Sequence, residues 1–126
     1  MELKILSYNN KQKRNIRVKS KYGEFNVIWD GELPVIGAEV DVELDIDKNL
    51  TWNTDISLAT NNTLQIRQIQ DDIVIQGKLE ETDSDGFTVL RLNNSIITFI
   101  TEGKAFPINS IIQIKILKIK AYPTDY

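Results

Sequence analysis

Five carboxylates alternate along one short segment of this 126-residue chain: Glu39, Asp41, Glu43, Asp45 and Asp47, with Val40, Val42, Leu44 and Ile46 between them. On an extended strand alternate residues share a face and stand about 6.6 Å apart. Two unit charges at that spacing repel by roughly 0.6 kcal/mol in bulk water, and by less in salt. A solvated face tolerates that cost, so solvation alone would account for the row. Its functional counterpart is a docking strip for a basic protein, acting through steering and charge pairing. No metal ion is expected there, because carboxylates spread along one strand do not converge on one point.

A basic run precedes the acidic one: Lys11, Lys13, Arg14, Arg17, Lys19 and Lys21. Arg17 and Lys19 face away from Ile16 and Val18, so they could pair across strands with the acidic row, or simply be solvated. With Tyr22 and Trp29 nearby they also resemble a stacking-plus-charge platform for single-stranded nucleic acid. Against that, Phe25, Val27 and Trp29 share one strand face, which is the pattern of a core. Trp52 stands in a polar segment with no alternating apolar neighbours; it is either a cap over a barrel end or an exposed anchor in an interface. Glu81-x-Asp83-x-Asp85-Gly86 imitates the opening of a calcium loop, but the position that needs a bidentate Glu is Leu92, so a hairpin turn is expected.

Catalysis finds little support in these residues. The chain has no histidine and no cysteine, which removes Ser–His–Asp triads, Cys–His pairs, zinc fingers and disulfides. Its acidic residues lie on alternating, solvent-facing positions or in turns, where burial cannot tune their pKa values. No phosphate-binding glycine loop or nucleophile elbow is present. A non-enzyme without cofactor is expected.

The elements that must position these residues are strands. Period-2 alternation recurs at Ile16/Val18, Phe25/Val27/Trp29, Val40/Val42/Leu44/Ile46, Ile73/Ile75, Ile97/Phe99 and Ile112/Ile114/Ile116, the signature of half-buried β-structure. Turn signals separate them at Tyr22-Gly23, Asp30-Gly31, Asp85-Gly86, Asn93-Asn94 and Glu102-Gly103. No segment holds a 3.6-residue period, so the protein is expected to be all-β. A faint repeat places residues 15–48 on residues 87–120: Ile28, Gly31 and Ile36 meet Ile100, Gly103 and Ile108. The expected organisation is two related four-stranded units, 1–48 and 73–126, joined by a connecting segment 49–72. A unit near 50 residues is marginal alone, so the two should pack as one body or complete each other's barrel.

The turn Gly31…Pro34…Gly37 before Val40-x-Val42-x-Leu44, and its echo Gly103…Pro107…Ile112-x-Ile114-x-Ile116, resemble small Greek-key barrels of the OB kind. That resemblance implies either two barrels or one combined barrel or sandwich.

Charge is evenly spread, with 8 basic and 10 acidic residues in 1–60 and 7 and 8 in 61–126, for a net charge of −3. Such a balance gives no global drive toward phosphate backbones or anionic membranes. The N-terminal residues alternate, unlike a signal peptide, and no apolar stretch reaches the roughly 18 residues of a membrane span. A cytoplasmic location is expected. In its small size, lack of cysteine and mild acidity the chain resembles the bacterial immunity proteins that neutralise toxins. The resemblance implies a basic partner bound through Glu39, Asp41, Glu43, Asp45 and Asp47, with Trp52 as an apolar anchor. The alternatives are an OB-like single-strand binder using Arg17, Lys19, Tyr22 and Trp29, or a β accessory subunit pairing through an edge in 111–121.

Overall fold

A computed structural model describes residues 1–12 and 14–124. Among them the chain forms twelve strands and no helix: β1 (Glu2–Tyr8), β2 (Asn15–Ser20), β3 (Gly23–Trp29), β4 (Glu39–Asp45), β5 (Leu50–Thr51), β6 (Ile56–Leu58), β7 (Gln65–Ile69), β8 (Asp72–Thr82), β9 (Phe87–Leu92), β10 (Ser95–Glu102), β11 (Ile111–Ile116) and β12 (Lys120–Pro123). The alternation seen in the sequence is the alternation of burial: along β3, Phe25, Val27 and Trp29 are inside, and along β11, Ile112, Ile114 and Ile116. The fold is all-β, as expected.

A five-stranded ring closes in the order β1-β2-β3-β12-β4 and back to β1. All its pairings are antiparallel except β3 with β12, which is parallel. This is a Greek-key barrel of the OB-like kind. A second ring follows the same plan. Strands β8, β9 and β10 form a meander, β11 returns antiparallel to β8, and the fifth place is shared by β5, parallel to β10, and β6, antiparallel to β11. Each ring therefore takes its fifth strand from beyond its own four. The strands just after β4 complete the second ring, and the last strand of the chain completes the first.

The repeat is written into the hydrogen bonding. Gly37 N–H donates to Ile5 O and Ile5 N–H to Ala38 O; their counterparts are Asn109 to Leu79 and Leu79 to Ser110, all four within 2.8–2.9 Å. Gly37 and Asn109 take the same left-handed turn, with φ of 89° and 75°. Even the bulge that bends the first strand of each unit recurs, between Ile5 and Ser7 and between Leu79 and Glu81, where it tightens the curvature a small barrel needs.

Two devices lock the rings together. Strand β10 pairs parallel with β4 through Ile97–Leu44 and Thr98–Asp45. Strand β7, paired with β8, reaches the β2–β3 hairpin, where Ile66 N–H donates to Tyr22 O and Asn26 N–H to the Gln68 side chain. One continuous apolar cluster spans both rings, from Leu3 and Phe25 to Ile97 and Ile114. The segment 49–72 is thus structural: it supplies β5, β6 and β7 rather than a free loop.

Candidate docking surface on strand β4

Strand β4 carries its carboxylates outward because Val42 and Leu44 are buried beneath. The five do not remain equivalent. Glu39 lies opposite Lys4 of β1. Asp41 is 3.1 Å from the N-terminal ammonium of Met1 and accepts from the Thr124 hydroxyl at 3.1 Å. Its pKa is lowered, chiefly by that ammonium and then by Thr124. Asp47 lies past the strand end and pairs with Lys120 at 2.7 Å, which holds its carboxyl below the usual range.

Glu43 and Asp45 are different. Neither is ion-paired among the described residues. Burial raises the pKa of Asp45, and the neighbouring Asp47 carboxylate raises it further. Of the row of five expected from sequence, Asp41 and Asp47 are thus ion-paired, while Glu39 faces Lys4 and Asp45 faces Lys120 across their strand pairs without a salt bridge among the described residues, and Glu43 faces Tyr122. The Arg17 side chain, one suggested cross-strand partner, sits 3.6 Å from Glu24 instead.

Glu43 and Asp45 adjoin apolar surface. In the β4–β10 pair Thr98 stands beside Asp45, so Thr98 and its same-face neighbours Ile96 and Ile100 continue the outer face of β4. Phe87 of β9 lies directly opposite Ile100. Ile96, Ile100 and Phe87 are 45%, 38% and 40% exposed. On the other flank Tyr122 of β12 lies opposite Glu43. An open hollow of about 420 Å³ is lined by Glu43, Leu44, Asp45, Ile96, Thr98 and Tyr122. The surface thus combines negative charge with exposed aliphatic and aromatic groups, the makings of a protein interface with a charged element that sets register.

Trp52 is not part of it. It is 4% exposed and meets Phe106 edge-on with ring centroids 4.9 Å apart, so the interface-anchor expectation is corrected to a core position. Its environment is set by Gly103, whose turn brings the backbone against the indole. The set suggested for nucleic acid is likewise dispersed. Trp29 is 1% exposed, with its indole N–H given to Glu32 O. Tyr22 directs its hydroxyl to Leu92 O at 2.7 Å. Arg17 has its acidic neighbour, so of the four only Lys19 and Tyr22 remain together, lining one hollow with Lys4 and Lys21, whose ammonium lies 5.5 Å from the Tyr22 ring centroid. The suggested edge in 111–121 is also occupied: β11 pairs with β8 and β6, and β12 with β3 and β4.

The residues that sequence reasoning missed are Ile96, Ile100, Phe87 and Tyr122. Their signal was present in β10, whose outward positions Ile96 and Ile100 are as apolar as its inward ones, Ile97 and Phe99. A strand apolar on both faces is covered on both, or presents one face to a partner. The described residues bring no three acidic side chains together as a metal site would require. Compared with protein-family models, with curated proteins and with solved structures, the chain matches none.

Proposed function

We propose that this protein is a non-catalytic binding module for a basic protein, which it blocks by occupying its surface in the manner of immunity proteins. One observation carries the reading: Glu43 and Asp45 make no ion pair among the described residues and border the exposed strip of Ile96, Ile100 and Phe87. Charge alone would give steering without strength, since exposed ion pairs contribute little. Apolar contact alone would give no choice of partner. Together they supply a desolvated centre and an electrostatic register, the usual division of work in a specific interface.

The test is a tagged pull-down at low salt followed by charge reversal. The wild-type protein should retain a basic protein that elutes as salt is raised, since screening weakens charge pairing. Glu43→Lys combined with Asp45→Lys should lower its recovery at least tenfold, whereas Glu39→Lys should change it by less than threefold. Recovery unaffected by the double reversal removes the docking role of β4. Co-purification of single-stranded nucleic acid in place of a protein would favour the other binding reading.

A further inference from the structure

The hollow beside Glu43 is open to the surface and mixed in chemistry. Its volume, about 420 Å³, lies near the small end of ligand sites. Its walls differ in chemistry. Ile96 brings an apolar side chain, Tyr122 is aromatic, and Glu43, Asp45 and Thr98 carry acceptor groups, while Leu44, whose side chain is buried in the core, underlies the floor. The cross-strand register fixes them relative to one another, with Tyr122 opposite Glu43 and Thr98 beside Asp45. The three strands are held in different ways, β12 between β3 and β4, and β10 between β9 and β4, so the hollow is preorganised rather than assembled by a loop.

We infer that this hollow is a socket for an arginine side chain of the partner protein, with the guanidinium set against Tyr122 and held by Glu43 and Asp45. The inference rests on the docking reading of β4. A guanidinium suits the mixed walls better than an ammonium. It is planar, more weakly hydrated and stacks on aromatic rings, and its donors diverge to reach two acceptors at once. Lysine would bring a compact, strongly hydrated charge to a half-apolar site. The chain's own cation nearby, Lys120, lies opposite Asp45 in the sheet, but its ammonium pairs with Asp47 at 2.7 Å and Lys120 does not line the hollow. Asp45, half-buried and beside a second carboxylate, gains most from an incoming cation, in keeping with its raised pKa.

The experiment titrates the isotopically labelled full chain with blocked pentapeptides that carry one arginine, one lysine or one citrulline at the centre and are otherwise alike. Amide shifts are followed by NMR. The arginine peptide should shift Glu43, Asp45, Ile96, Thr98 and Tyr122, with a dissociation constant at least threefold below that of the lysine peptide. The citrulline peptide should leave these amides unmoved. Tyr122→Ala and Glu43→Gln should each weaken the arginine peptide at least threefold, while Tyr122→Phe should retain it. Equal affinity for arginine and lysine, shifts confined to Glu39 and Asp41, or no shift would each overturn the socket. The docking reading stands or falls separately, on the charge-reversal pull-down.

Discussion

Gly23 opens β3 with φ of 139°, and a Cβ built there would lie 2.0 Å from the carbonyl oxygen of Ile66. The glycine thus lets the β2–β3 hairpin touch β7. Gly23→Ala should cost about 3 kcal/mol in urea unfolding, since strain and a backbone clash act together. Gly31→Ala is the control: its φ is 94° but nothing lies within 4 Å of the added carbon, so a loss of about 1 kcal/mol is expected. The carboxylates separate by sign. Asp41 has a lowered folded pKa; its stabilising contribution is full above its unfolded value, about 3.9, and is lost as pH falls through the lower folded value. Its side chain is 66% exposed, so Asp41→Asn should cost only about 0.5 kcal/mol near neutral pH. That deficit should shrink in acid. Asp45 runs the other way: a raised folded pKa means that ionisation destabilises the fold as pH rises, so Asp45→Asn should raise the unfolding midpoint near neutral pH and do nothing in strong acid. Charge at Asp41 and Asp45 was readable from the sequence; their opposite environments were not, because the N-terminal ammonium and Thr124 reach Asp41 from distant parts of the chain and the burial that chiefly raises Asp45 comes from tertiary packing.

At the scale of elements, β12 has a consequence out of proportion to its four residues. It fills the gap between β3 and β4, with Ala121 fully buried and Asp30 N–H donating to Ala121 O. A chain ending after Ile119 would leave two strands with unpaired backbone and an open barrel, and unsatisfied buried backbone groups are costly. That truncation should shift the emission of Trp29 to the red at low denaturant and abolish the cooperative unfolding transition. Strand existence was legible wherever a strand is long enough to alternate, since alternation marks burial directly. Partnership was harder. The stretch around Trp52 lacks alternation because β5 and β6 are two and three residues long, too short to show a period. The region 111–121 reads as one long strand because Leu117 to Ile119 leave no gap in its apolar pattern; in the fold those residues carry the chain from one ring to the other.

For the molecule as a whole, the exchange of fifth strands makes the two rings one folding unit, and the two tryptophans report on it independently. Trp29 lies in the first ring and Trp52 packs at the second. Trp52→Phe and Trp29→Phe variants, each with a single remaining fluorophore, should give urea transitions whose midpoints coincide within each protein with those from far-ultraviolet circular dichroism, the mark of an all-or-none transition. A midpoint for Trp29 fluorescence well apart from the dichroism would mean that the rings open separately. The same interlock predicts that fragments 1–61 and 62–126 are each unfolded alone and recover β-structure when mixed, because each lacks the strand that closes its barrel. The sequence by itself determined the all-β class, the two four-stranded units and the register of their repeat, since inward and outward residues alternate locally and left-handed turns favour glycine or asparagine wherever they occur. Tertiary structure alone decided which strands close each ring, that Trp52 is core, and that Glu43 and Asp45 make no ion pair among the described residues beside Ile96 and Tyr122. Those outcomes depend on pairings between residues about 50 to 92 positions apart, where loop closure rather than local pattern selects the partner.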